Sequence, residues 1–116
     1  MFPKHLEFRD VFKNEIDFQN FWTGRLRHLG FVVRITSKNT RGKRQDNAMP
    51  DVFIRHSDWE RGRWIAFESK NPNGWKYSSD EQEVAARNRE FVVVESWLQV
   101  ADALGLPIET QDSLNI

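Results

Sequence analysis

The chain contains no cysteine. That excludes a disulfide framework and any zinc site built on thiolates, and it is compatible with the reducing cytoplasm expected as its location. No apolar run approaches the about 20 residues needed to cross a bilayer. The N-terminus lacks the basic-then-apolar layout of a signal peptide, so no membrane association is expected. An excess of charge is also missing, because 17 Lys and Arg balance 17 Asp and Glu. A protein that coats nucleic acid through bulk charge is thereby disfavoured, although a local basic patch is not. Glycine (6) and proline (4) are sparse, and Gly30, Pro72, Gly74, Gly105 and Pro107 mark candidate breaks between elements. There is no internal repeat and no low-complexity tract.

What is present fits one globular α/β domain over residues 1–116, with its core at about 14–105 and a polar tail at 106–116. Ile16, Phe18, Phe21, Trp22, Leu26 and Leu29 repeat at three- and four-residue steps, which predicts a helix from Asn14 to His28. Asn14 is its cap and Gly30 its stop. Phe31–Thr36, Asp51–Arg55 and Arg63–Lys70 read as strands, the last two paired as an antiparallel hairpin around a turn at His56–Gly62. Ser37–Ala48 and Asn71–Tyr77 are loops. Ser78 or Ser79 caps a helix running to about Arg89. Phe91–Glu95 is a short apolar strand expected to be buried in a mixed sheet, and Ser96–Leu104 is a last helix. The predicted order is α-β-β-β-α-β-α, with a central mixed sheet of about four strands flanked by helices.

The chemistry gathers in one stretch. Pro50-Asp51 opens an apolar strand, Glu68-Ser69-Lys70 closes the next, and Gln82 follows early in a helix. Strand side chains alternate, so Glu68 and Lys70 share a face and Ser69 takes the other. Asp51 starts the strand beside the one that Glu68 ends. Two carboxylates and a main-chain carbonyl such as that of Ser69 form an all-oxygen site for a hard cation, Mg²⁺ or Mn²⁺. Such an ion activates water and neutralises a phosphate, and a neighbouring Lys stabilises the charge that builds. The residue types suit metal-dependent hydrolysis of a phosphodiester. Each motif is short, and a Glu and Lys two apart on a strand usually form a solvated face.

From about Glu15 to Leu104 the chain resembles the PD-(D/E)XK nuclease superfamily, and within it the small stand-alone phage and bacterial members of the VRR-NUC group. The shared features are Glu15 and Gln19 on the first helix, then Gly30 and Arg34, and a basic loop leading into Pro50-Asp51. Glu68 and Lys70 follow, then the Asn71-Pro72-Asn73-Gly74 loop, the Ser79 to Gln82 helix start, and the late strand leading into Ser96. Two departures stand out: Ala48-Met49 replaces the usual Gly before Pro-Asp, and no Gly occurs near Asn88-Arg89-Glu90. The resemblance implies a restriction-endonuclease-like fold, a DNA endonuclease, and the cytoplasm of a bacterial or phage-infected cell. It implies Asp51 and Glu68 as metal ligands, Lys70 as the catalytic lysine, Glu15 as a further acidic ligand and Gln82 as an orienting residue. Relatives resembling junction resolvases imply a homodimer acting on branched DNA.

Other readings stand beside these. Glu15 also suits a first-turn acid favoured by the helix dipole, and Gln82 a capping-box residue. Arg34, Lys38, Arg41, Lys43 and Arg44 form a basic segment suited to phosphate contacts. Lys76, between Trp75 and Tyr77, is a further DNA-contact candidate, while Trp75 itself reads better as a loop anchor than as a base-stacking platform. Trp22, Trp64 and Trp97 are expected in the core. Trp59 sits in a polar turn and suits a subunit interface. His5, His28 and His56 lack ligand spacing. The functional alternatives are an inactive nuclease-like binding or inhibitor protein, and a small subunit of a restriction or nicking complex.

Overall fold

The computed structural model describes residues 12–36 and 48–107. Seven elements follow there in the predicted order: α1 (Glu15–His28), β1 (Val32–Ile35), β2 (Val52–Arg55), β3 (Ile65–Ser69), α2 (Asp80–Arg87), β4 (Val92–Val94) and α3 (Trp97–Ala103). The segment before Phe12, most of the loop expected at 37–48 and the tail from Ile108 lie outside the described residues.

Each of the three described helices begins at a side-chain cap. Asn14 Oδ1, Ser79 Oγ and Ser96 Oγ accept the N–H of Asp17, Gln82 and Gln99, all from extended cap residues. A cap of this kind contributes about 1 kcal/mol. Glu15 and Asp17 in the first turn of α1, and Arg25, Arg27 and His28 in the last, complement its dipole. Gly30 ends α1 at φ +97°, and the Phe31 N–H returns to the Leu26 carbonyl at 2.9 Å.

The strands form one mixed sheet in the order β1-β2-β3-β4. β1/β2 and β2/β3 are antiparallel, and β3/β4 is parallel. A parallel pair needs a crossover, and α2 supplies it. One face carries Val33, Val52, Ile54, Phe67 and Val94, packed with Phe18, Trp22 and Leu26 of α1 and Trp97, Val100 and Ala101 of α3. Full burial of side chains this size contributes about 1.5–3 kcal/mol each, which makes this layer the main stabiliser. The opposite face is thinner: Ala66 meets Ala85 of α2 and Phe91, with Phe53, Tyr77 and Val93 at its margin.

The structure corrects several expectations. Ile16 is 61% exposed. It lies two residues before Phe18, about 200° around the helix from the packed stripe. Trp64 is 39% exposed. It stands on the thin face, where it lines an open groove with Arg34, Met49 and Phe53. β4 is an edge strand, and Val94 is its single fully buried residue. Trp59, not among these corrections, is half-buried, edge-on against Phe31 at 6.1 Å and under the Arg63 guanidinium at 5.1 Å. The helix α2 ends at Arg87 rather than Arg89, because Arg89 takes φ +61°. That is the left-handed position where glycine is usual, so the missing glycine is replaced by a strained arginine. Among the described residues, no helix is long and apolar enough to cross a membrane.

Candidate active site

The pairing of Val52 with Phe67 sets Asp51 opposite Glu68 at the end of the β2/β3 ladder. The two acids then clasp each other's strand. Glu68 Oε1 accepts the Asp51 N–H at 3.0 Å, and Asp51 Oδ2 accepts the Ser69 N–H at 3.4 Å. Thr36, which the sequence did not single out, fixes the Pro-Asp corner. Its Oγ1 donates to the Pro50 carbonyl at 2.9 Å and lies 3.1 Å from the Asp51 carbonyl, which also accepts the Thr36 N–H at 2.9 Å.

Glu68 and Lys70 share a face, as alternation requires, but that face is not solvated. Glu68 is 2% and Lys70 5% exposed, with Nζ 3.4 Å from Glu68 Oε2. A buried ion pair of this kind brings desolvation costs that rival its attraction, so stability alone gives little reason for it. The Ser69 side chain points into the core, where its Oγ accepts the Trp22 indole N–H at 3.1 Å. Only the Ser69 main chain is thus placed to serve the acids.

Glu15 reaches the wall of the same cleft from α1. Its Oε2 accepts the Asn71 N–H at 3.1 Å, and one turn on, Gln19 shares its face. Glu15, Gln19, Asp51, Glu68, Lys70 and Asn71 line a cleft of about 530 Å³. Lys13, Asn14, Ile16 and Ser78 complete its wall. Of these, Asn71 and Ser78 were read from the sequence only as a loop start and a possible helix cap, not as site residues, although Asn71 directly follows Lys70. Gln82 is fully buried. Its Oε1 accepts the Ser78 N–H at 3.1 Å, and Nε2 has no acceptor among the described residues. It therefore stands behind the cleft wall, tied to it through Ser78.

Of the other named cations, Arg34 and Lys76 do not line the cleft. Arg34 is exposed on β1 and faces the apolar groove beside Trp64. Lys76 is exposed and lines a neighbouring hollow that shares Ser78 with the cleft. Lys38, Arg41, Lys43 and Arg44 lie outside the described residues. Trp75 is a loop anchor: its Nε1 donates to Glu95 Oε2 at 2.7 Å, and its ring meets Tyr77 edge-on at 4.9 Å. Burial pulls the Arg25 guanidinium below its ordinary pKa, over the rings of Phe21 (4.6 Å) and Trp97 (5.6 Å), and Arg25 does not line the cleft.

Among the described residues, no three carboxylate or imidazole groups converge. The residues present still fit a hard divalent cation that keeps most of its own water. Asp51 and Glu68 supply two carboxylates held to neighbouring backbone, and an ion of this type is usually bound through one or two carboxylates plus phosphate oxygens. The chain matches no protein-family model, no curated protein and no solved structure.

Proposed function

We propose that the chain is a metal-dependent DNA endonuclease that hydrolyses phosphodiester bonds, built on a restriction-endonuclease-like fold. One observation carries this reading. Two acids from separate strands meet at a strand end, and a lysine is buried against one of them, with a cleft in front. The resemblance of Pro50-Asp51, Glu68-x-Lys70 and Gln82 to the VRR-NUC group supports it.

Asp51 and Glu68 would hold Mg²⁺ or Mn²⁺, with the Ser69 carbonyl as a third oxygen donor. When bound, the ion supplies an acidified water and a Lewis acid for phosphate oxygens. Lys70 brings a compact positive charge to the cleft, where negative charge grows on the phosphate during attack. Burial strengthens that charge by keeping bulk water away. Glu15 fixes the start of the 71–79 loop through the Asn71 N–H, and Gln82 fixes its end through the Ser78 N–H, so both walls are preset. The basic segment Arg34–Arg44 and Lys76 supply phosphate-backbone contacts. A single cleft of this size grasps little DNA, so a homodimer acting on branched DNA is the expected working form.

A binding or inhibitor role on the same scaffold is favoured by the neutral net charge and the absence of a third converging acid among the described residues. One experiment separates the two. Branched and linear DNA are incubated with Mg²⁺ or Mn²⁺ and the wild type, Glu68→Ala or Lys70→Ala. The wild type should cut and both variants should lose about 10²–10³-fold or more of that rate. Equal products from all three would falsify the hydrolytic reading.

A further inference from the structure

The loop after β3 contains a contact that the hydrolytic reading does not use. Lys70 Nζ lies 5.5 Å from the centroid of the Trp75 ring. Together with the 3.4 Å approach to Glu68 Oε2, this brackets the ammonium between a carboxylate and an aromatic ring. The ring is itself held. Its Nε1 donates to Glu95 Oε2 at 2.7 Å, and the Glu95 N–H donates to Gln99 Oε1 at 2.6 Å in the first turn of α3. A second strand contact holds the same place, since the Lys70 N–H donates to the Val94 carbonyl at 3.0 Å. The backbone of Lys70 and the ring that confines its ammonium are thus both referred to the β4–α3 junction.

A lysine stem has four rotatable bonds, and a positive charge that wanders stabilises a transition state poorly. A quadrupole face supplies attraction without a competing negative charge. A third carboxylate in that place would neutralise the ammonium. Glu95 instead acts at one remove, on the indole N–H.

We propose that Trp75, tethered by Glu95, is a positioning residue that confines the Lys70 ammonium to the Glu68 side of the cleft. For its catalytic consequence this rests on the hydrolytic reading. The confinement itself does not, so the two are measured separately. The full-length wild type, Trp75→Leu, Trp75→Phe, Glu95→Gln and Glu95→Leu are compared. The ¹H–¹³C signals of the Lys70 ε-methylene, assigned through Lys70→Arg, report the ring directly. They should sit upfield in the wild type from ring current, return towards free-lysine positions in Trp75→Leu and Glu95→Leu, and stay upfield in Glu95→Gln, whose amide oxygen still accepts the indole N–H.

On branched DNA with Mn²⁺, Trp75→Leu should lower kcat by about 10- to 30-fold while KM changes by less than about two-fold. Trp75→Phe should recover part of the loss, and Glu95→Gln should lose only about two- to three-fold. Trp75→Phe and the Glu95 pair carry the test if Trp75→Leu fails to fold. Unmoved Lys70 signals in the Leu variants overturn the proposal. So does a loss confined to KM. A wild type that neither cuts DNA nor takes up Mn²⁺ overturns the hydrolytic reading, and the Lys70 signals still decide whether Trp75 holds the ammonium.

Discussion

Replacing Lys70 by Met keeps the length and volume of the side chain and removes its charge. The structure sets the cost. Lys70 Nζ lies 3.4 Å from Glu68 Oε2, and the two side chains are 7% and 2% exposed. Removing one partner of a buried pair typically costs about 3–5 kcal/mol, because the other charge stays desolvated. The low end applies here, since Glu68 Oε1 keeps the Asp51 N–H at 3.0 Å. A loss of about 3 kcal/mol is expected. For a chain of 116 residues, the usual unfolding entropy converts that to a fall in Tm of about 12 °C. The assay is thermal unfolding by circular dichroism in a chelator, so that no divalent ion replaces the missing charge. Adding Mn²⁺ should then stabilise the variant at least as much as the wild type, because ligand binding to the folded state adds RT ln(1 + [L]/Kd) and a competing cation has gone. Calorimetry should show Mn²⁺ uptake retained while hydrolysis falls by about 10²–10³-fold. A chelated variant melting within about 4 °C of the wild type would show that the pair is not a coupled buried charge. Loss of Mn²⁺ uptake in a folded variant would show that the acids alone do not form the ion's site.

Three further outcomes follow from the fold. Ser69→Ala leaves the buried Trp22 indole N–H without its acceptor and should cost about 1–3 kcal/mol in urea unfolding, with an unchanged m-value. Arg89→Gly relieves a left-handed residue and should raise stability by about 1 kcal/mol without altering any activity, and a lower melting temperature would refute the strain argument. Trp22→Ala should cost about 3–5 kcal/mol and Trp64→Ala less than half of that, because Trp22 is fully buried and Trp64 is 39% exposed; equal losses would contradict the assignment of the two faces.

Sequence and structure divided this protein along a physical line. The local signals were enough for the order of elements, the Asn14 and Ser96 caps, the stop at Gly30 and the β2/β3 hairpin, because each depends on residues within a few positions of one another, while the choice of Ser79 over Ser78 came with the structure. Alternation alone placed Glu68 and Lys70 together and Ser69 opposite, and both placements hold. Burial was less legible. Ile16 and Trp64 are apolar in the sequence, yet both lie exposed: Ile16 sits on the side of α1 turned away from the packed stripe, and Trp64 on the sheet face that α2 covers only in part. What only the tertiary structure decided is the chemistry's setting. The register of Val52 on Phe67 turned two acids 17 residues apart into a reciprocal clasp. Packing turned a Glu-x-Lys that ordinarily faces water into a buried pair. The reach of Trp75 to Glu95, 20 residues away, set an aromatic ring against the lysine. Distances of this kind come from the closure of long loops, and no local pattern encodes which loop closes on which.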